Sequence, residues 1–469
     1  MSTKKDLVEA HAFSRRRLVT AFVSGAPGGR EVEPSRPGRT IVGGVALGVL
    51  VLAGGAIAGV FSSRPPDGWL DPGLVVAEGS LYAITTESDE PELRPVDPIS
   101  GRLIFGADTE PSSVSEEDIA QQRLGEDIGI LGAPSYLPTT DQLIDEGWTA
   151  CTEEGQGIAL SILETPPASP VDDGALVVTT GPNAGRWLVA SGDVEGQAGV
   201  PQAFRYRLPR GDGQADAILS SLGLPAAQDD AAVVSEQWLN LWPAGPDVER
   251  QAFRTGDGPV EGSGDWFGTG EAAEAGDLVT ADDGAYLVTT DGPYQLDPFE
   301  QAAYEAVADP GATTLDGDQL QTGLTSDVTP DGWPDEVPTA VEDDSLCAQL
   351  VPRVEDTPTV LVAGGLDEDV DLADLPEDEI ATDVEPGGGA VVVSGAFGSA
   401  QGAPAYVVDA KGVRYQLDGA DAIGNLGYGE HEARVVPDSW IGLLRCGVVL
   451  SRDAALRNPA DESPDPSSC

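Results

Sequence analysis

The sequence predicts a β-rich, mixed α/β protein: a single transmembrane helix, then an elongated, quasi-symmetric exported body of four small αβ repeats around a central core. Three observations carry this expectation. Ile41 to Phe61 are twenty-one consecutive uncharged, mostly apolar residues between a basic head and an acidic body. Gly 59 and Pro 37 among 469 residues, with 6% aromatics, favour short strands and frequent turns over long helices. Two stretches of the body also repeat the same residues in the same order.

The apolar stretch comes first in the chain. As a helix it would run about 32 Å, at roughly 1.5 Å per residue, and so span a hydrocarbon core of about 30 Å. Pro65 and Pro66 stop it. A cleaved signal peptide has a shorter head and a shorter apolar core, so the stretch reads as an uncleaved anchor. Residues 1–40 hold eight basic and four acidic residues, whereas the rest of the chain holds 17 basic and 76 acidic ones, a net of −59. The basic flank belongs inside, which makes 1–40 a cytoplasmic head and 62–457 an exported body. Within the span, Gly44-x-x-x-Gly48 and Gly55-x-x-x-Gly59 fall on one stripe of small residues, the form that lets membrane helices pack closely.

The acidity of the body excludes nucleic acid, whose phosphates it would repel, and holds the body away from anionic headgroups. Four cysteines, Cys151, Cys347, Cys446 and Cys469, all follow the span, and no pair has C-x-x-C spacing. With His431 the only histidine of the body, a zinc site is not expected. In an oxidising compartment Cys151 and Cys347 are able to pair across the middle of the body, while Cys446 and Cys469 form a second bridge or stay free.

The repeats give the body its organisation. Arg205-Tyr206-Arg207-Leu208 is followed by Ala215-Asp216-Ala217-Ile218, Leu222-Gly223, Val233-Val234 and Trp238-Leu239. Arg414-Tyr415-Gln416-Leu417 is followed by Ala420-Asp421-Ala422-Ile423, Leu426-Gly427, Val435-Val436 and Trp440-Ile441. Each copy reads as a strand, a helical turn closed by glycine, a second strand and a core tryptophan. Hairpins around Glu78-Gly79 and Asp291-Gly292 mark two further partial copies. The expected modules are 70–150, 165–250, 276–350 and 384–457, with the two long-range cysteines in connecting segments and a disordered Pro/Ser tail at 458–469. Trp148, Trp238, Trp333 and Trp440 are expected in module cores.

The head, Glu9-Ala10-His11-Ala12-Phe13-Ser14-Arg15-Arg16-Arg17-Leu18-Val19-Thr20-Ala21-Phe22-Val23, resembles the N-terminal signature of the EccB family, membrane-anchored core components of actinobacterial type VII (ESX) secretion systems. The layout is similar throughout: basic head, one span, four small repeats around a core, one cysteine in each half and a Pro-rich tail. The resemblance implies a Cys151–Cys347 disulfide, with no counterpart for Cys446 and Cys469. It also implies partners, namely the secretion components EccC, EccD and EccE and copies of the chain itself, with the head carrying His11, Phe13, Arg15, Arg16 and Arg17 docked to the cytoplasmic parts of companions.

Proteins of this family are often described as ATPases, so ATP is a cofactor by family description only. None of the three lysines follows a glycine, as a P-loop requires; Lys4 and Lys5 lie in the terminus and Lys411 in a hairpin turn. No G-x-S-x-G elbow is present, any triad would need His431, and His431 lies in a polar loop that reads as solvated. Asp367-x-Asp369-x-Asp371 begins like a calcium loop but has Leu372 at the sixth position, so 367–385 reads as a flexible acidic linker. No catalytic residue, metal ligand or cofactor site is nominated. The expectation is a structural membrane subunit of a type VII secretion complex; the alternatives are a signal-anchored cell-wall or ligand-binding module and an exported hydrolase.

Overall fold

A computed structural model describes residues 65–461 apart from 89, 193–199, 212, 269, 271, 309–311, 318–319, 327, 355–356, 368–369, 371, 373–374, 398–401 and 420. The expected span Ile41–Phe61, with Gly44, Gly48, Gly55 and Gly59, lies outside the described residues. So do His11, Phe13, Arg15, Arg16 and Arg17 of the head. Among the described residues no helix is long and apolar enough to cross a membrane. The fold is strand-rich and mixed α/β, as its composition predicts.

The first sheet is built from β1 (Gly73–Ala77), β2 (Ser80–Ser88), β3 (Glu90–Pro95) and β4 (Ser112–Ser113). Glu78 and Gly79 both take positive φ, 47° and 89°, which gives the tight turn whose twist suits the β1–β2 hairpin. Helix α1 (Pro98–Phe105) follows, with Pro98 preset for its first turn; Asp97 Oδ1 caps it by accepting Ile99 N at 3.0 Å and Ser100 N at 2.9 Å. The chain then returns so that β4 lies parallel to β1, giving the order β3-β2-β1-β4. Next come β5 (Trp148–Thr152), β6 (Ile158–Ile162) and the short β7 (Ser169–Pro170), all in a central sheet.

The same connection recurs three times. Strands β8 (Gly174–Thr179), β9 (Arg186–Gly192) and β10 (Gln202–Arg207) form a meander, α2 (Gln214–Ser221) crosses, and β11 (Ala232–Val233) pairs parallel with β8, followed by α3 (Glu236–Leu239). Strands β12 (Leu278–Ala281), β13 (Gly284–Thr289) and β14 (Gly292–Gln295), then α4 (Pro298–Val307), lead to β15 (Thr314–Asp316) parallel to β12. After β16 (Thr339–Ala340), which pairs with β8, come β17 (Leu346–Val351), β18 (Arg353–Val354), β19 (Thr359–Gly364) and β20 (Ile380–Val384). The last meander is β21 (Ala390–Gly395), β22 (Ala405–Val408) and β23 (Val413–Leu417), with α5 (Ala422–Asn425) before β24 (Arg434–Pro437), again parallel to the first strand; α6 (Asp438–Ile441) and β25 (Arg445–Cys446) follow. We number these four units 1 to 4 in chain order.

Unit 1 packs on unit 4, and unit 2 on unit 3. Ile99, Leu103 and Ile104 share one core with Ala422, Leu426 and Tyr428, whereas Ile218, Leu219 and Leu222 share another with Phe299, Ala303 and Tyr304. A third core lies where units 2 and 4 meet the central sheet, around Trp148, Trp238, Trp242 and Trp440, each fully buried. Two indoles tie the pieces together: Trp238 Nε1 donates to Ala150 O at 3.2 Å and Trp440 Nε1 to Leu241 O at 3.0 Å. Replacing Trp440 with alanine removes a fully buried indole and this link, so it should cost about 3–5 kcal/mol, read as a lowered midpoint in urea unfolding.

Candidate functional site: a cystine-pinned central sheet

The central sheet has the order β20-β6-β5-β17-β19-β7, so its strands come from both halves of the chain. β5 and β17 are antiparallel neighbours with Cys151 directly opposite Cys347. The bridge between them joins residues 196 apart, with Cα atoms at 4.1 Å. Cys151 and Cys347 thus lie in two paired strands of the core sheet rather than in connecting segments. Cys446, on the edge strand β25, is disulfide-bonded as well, and no described cysteine is free.

One face of this sheet carries Trp148, Ala150, Leu160 and Leu350 into the large core; the other carries the cystine. The acidic segment predicted to be a flexible linker closes over that second face. Leu366, Val370, Leu372 and Leu375 pack with Ala168 and Ala363 around the bridge, leaving Cys151 2% and Cys347 0% exposed. Backbone bonds hold the segment at both ends, Asp367 N to Pro167 O at 2.9 Å and Gly157 N to Leu375 O at 3.1 Å. The spaced leucines and valine explain the difference: an acidic run with apolar residues at intervals can bury those and solvate the rest. Gly157 permits the approach, since a Cβ there would sit 2.3 Å from Glu379 O and 2.4 Å from Pro376 O.

Units 2 and 4 carry matching contacts, some within each unit and some reaching to the partner unit. Arg205 NH1 donates to Leu239 O at 3.2 Å, at the end of α3, and the guanidinium stacks over Trp187 at 5.6 Å. Burial draws its pKa below the usual arginine value. Arg414 NH1 donates in the same way to Ile441 O, at the end of α6, and lies over Tyr406 at 5.8 Å. Ser221 and Asn425, each just before a Leu-Gly pair, reach across to the partner helix: Ser221 Oγ to Ala302 O at 2.7 Å and Asn425 Nδ2 to Leu103 O at 2.8 Å. Tyr206 and Tyr428 donate to the segments that leave units 3 and 1, at Gly332 O and Pro138 O, both at 2.6 Å.

The structure also places the chemical candidates. His431 is not solvated: its side chain is 13% exposed, with Nε2 3.3 Å from Asp145 Oδ1, and Arg434 approaches the same carboxylate at 3.6 Å. The loop 429–432 folds onto the segment entering β5, which the polar spacing alone does not reveal. Beside it is a cleft of about 610 Å³ lined by Asp108, Thr140, Glu430 and three glycines. Lys411 lies in the β22–β23 turn, its amide donating to Asp409 Oδ1 at 2.9 Å. Among the described residues no group of three or more His, Cys, Asp or Glu side chains could hold a metal ion. Trp148, Trp238, Trp333 and Trp440 are all buried, as expected. A signal that sequence reading missed joins units 1 and 3: Asp97-Pro98 recurs as Asp297-Pro298, and Pro134-x-x-x-Pro138-Thr139 as Pro334-x-x-x-Pro338-Thr339.

Four units of one topology, packed crosswise on a cystine-bearing sheet, define a strand-rich scaffold in which matched side chains hold the units to one another. Residues 1–461 match the family model described as "Type VII secretion system ESX-1, transport TM domain B", and the chain belongs to this family. It is similar to the ESX-1 secretion system ATPase EccB1 of Mycolicibacterium smegmatis (strain MKD8), with 26% identity over 468 residues, 91% of this chain and 90% of that protein. With the ESX-3 secretion system ATPase EccB3 of Mycobacterium tuberculosis (strain ATCC 25618 / H37Rv) it shares 30% identity over 224 residues, 45% of this chain and 39% of that protein. Its fold is that of a chain in an intact ESX-5 inner membrane complex (TM-score 0.58, 21% identity, 99% of this chain and 98% of that one). The same holds for a chain of an EccB3 dimer from the ESX-3 core complex (TM-score 0.60, 23% identity, 82% of this chain and 100% of that one).

The double variant Cys151→Ala, Cys347→Ala opens a loop of nearly 200 residues and should lower unfolding stability by up to about 5 kcal/mol in the chain-entropy model, measured by urea denaturation. Gly157→Val should lift the 366–375 segment from the cystine. The bridge, whose burial should protect it from dithiothreitol in the native wild type, should then become reducible without denaturant, as counted by alkylated thiols in mass spectrometry.

Proposed function

We propose that this chain is a structural subunit of a type VII secretion membrane complex, anchored in the inner membrane by one span at 41–61 with its head inside and its body outside. In this reading the body is made of four copies of one unit, 70–150, 165–250, 276–350 and 384–457, and it associates with copies of itself. The glycine stripe at Gly44, Gly48, Gly55 and Gly59 packs against other membrane helices, and the head, with His11, Phe13 and Arg15 to Arg17, docks to EccC, EccD and EccE. The observation that carries the reading is the family match across residues 1–461. The similar structures support both parts of the reading: one of those chains comes from an EccB3 dimer and another from an intact ESX-5 inner membrane complex.

Although the similar proteins from mycobacteria carry "ATPase" in their names, we place ATP hydrolysis on a partner. The body's conspicuous side chains support this: Arg205, Arg414, Trp238, Trp440 and Tyr428 all donate to backbone carbonyls. Native purification from the host in mild detergent, followed by mass determination, tests the whole reading. We expect a very large assembly containing a multi-span protein and a separate ATPase, with ATP turnover lost when that ATPase is removed. A lone monomer that persists across gentle detergents, or turnover by this chain alone, would overturn it.

A further inference from the structure

In unit 3 the start of α4 is held by two carboxylic acids facing each other. Asp297 Oδ1 accepts Glu300 N at 2.7 Å, and Glu300 Oε2 accepts Asp297 N at 3.0 Å. Glu300 is only 4% exposed, and its Oε1 accepts Tyr294 O–H at 2.9 Å, with Thr329 Oγ1 2.8 Å beyond the tyrosine oxygen. A reciprocal cap of this kind ordinarily stabilises a helix, but it usually stands in solvent, where a carboxylate is well hydrated. Here both acids are crowded into partly buried space. Asp335, on the segment leaving unit 3, adds a further negative charge beside Asp297; Arg254, nearby, directs NH2 to the Thr329 carbonyl at 2.8 Å. The sequence offers little relief. From Arg254 to Arg353 there is no Lys, Arg or His, while 22 Asp and Glu intervene.

Unit 1 provides an internal comparison. Asp97 caps α1 from the same position, also followed by proline, but Ser100 stands where unit 3 has Glu300. The Ser100 hydroxyl accepts Ile130 N at 3.0 Å, so a neutral group fills the place of the second acid. The two units therefore share a helix cap and differ in one like charge.

We propose that Asp297 is a proton-operated latch: while its carboxyl, crowded against Glu300, holds a proton, α4 stays capped and seated on α2 of unit 2, and loss of that proton loosens unit 3 from unit 2. The seat is the contact of Phe299, Ala303 and Tyr304 with Ile218, Leu219 and Leu222, together with the Ser221–Ala302 hydrogen bond, all within two turns of the cap. Burial first, then the neighbouring charges of Glu300 and Asp335, push the Asp297 carboxyl up to about 8, against the pull of the Glu300 amide. A carboxyl whose value is raised by folding favours the folded state when protonated. Its contribution is complete below the unfolded value of about 4 and is lost as pH rises toward 8.

Hydrogen–deuterium exchange on the full chain in detergent tests the latch. After correction for intrinsic exchange, protection of residues 298–307 should fall about tenfold or more between pH 6 and pH 9, while residues 98–105 stay level. Asp297→Asn keeps a good capping residue and removes the titration, so its protection should be independent of pH over that range. A flat profile for 298–307 in the wild type, or the same fall in Asp297→Asn, would overturn the proposal. Glu300→Gln, which preserves the reciprocal cap, decides the matter if Asp297→Asn does not fold. Without the like charge, the fall should move to lower pH; an unmoved fall would equally reject the latch.

Discussion

The body depends on a single register. β5 and β17 pair so that Cys151 meets Cys347, and because side chains alternate across a sheet, a slip of one residue would turn one sulfur to the opposite face. That register also sends Trp148 and Leu350 together into the large core. The bridge therefore fixes more than two cysteines. It commits the central sheet to one pairing and, through the segments at each end of β5 and β17, places the four units around it. Units 1 and 3 enter the sheet, units 2 and 4 leave it, and each entering unit packs on a leaving unit of the other half.

Part of this was legible in the sequence. One turn announced itself through Glu78-Gly79, where both residues take positive φ as a two-residue hairpin demands; the other falls one residue before Asp291-Gly292, at Thr290-Asp291, with Gly292 opening β14 opposite Thr289. The tryptophans were legible because a large indole beside alternating apolar residues has few places to go except the core. The central sheet was not, since its six strands come from separated segments and strand pairing over such distances leaves no local trace. The covering segment 366–375 was misread because charge density masked four apolar residues with a common destination. His431 was misread for a similar reason: a polar loop looks the same whether it faces water or an aspartate on another segment. The shared caps Asp97-Pro98 and Asp297-Pro298 were in plain view, and only the units' packing made them meaningful.

The polar contacts between units follow a pattern that suits so acidic a chain. Ser221, Asn425, Tyr206, Tyr428, Trp238 and Trp440 all bond to backbone carbonyls across a junction. Such bonds need no counter-charge, which a body of 17 basic and 76 acidic residues could not supply in quantity. They are also indifferent to salt, unlike surface ion pairs. Most acidic groups are left to the surface, with Asp277, Glu300 and Asp409 buried exceptions, and the junctions rest on neutral donors and apolar contact.

The crossed packing has a bearing on synthesis. The bond from Asn425 to Leu103 joins residues 322 apart, and the apolar face of α1 is covered by a unit that is made last. At roughly 5–20 residues per second, the ribosome takes on the order of 16–65 s to deliver that cover. For that interval the apolar face of α1 is without the cover that the finished fold gives it.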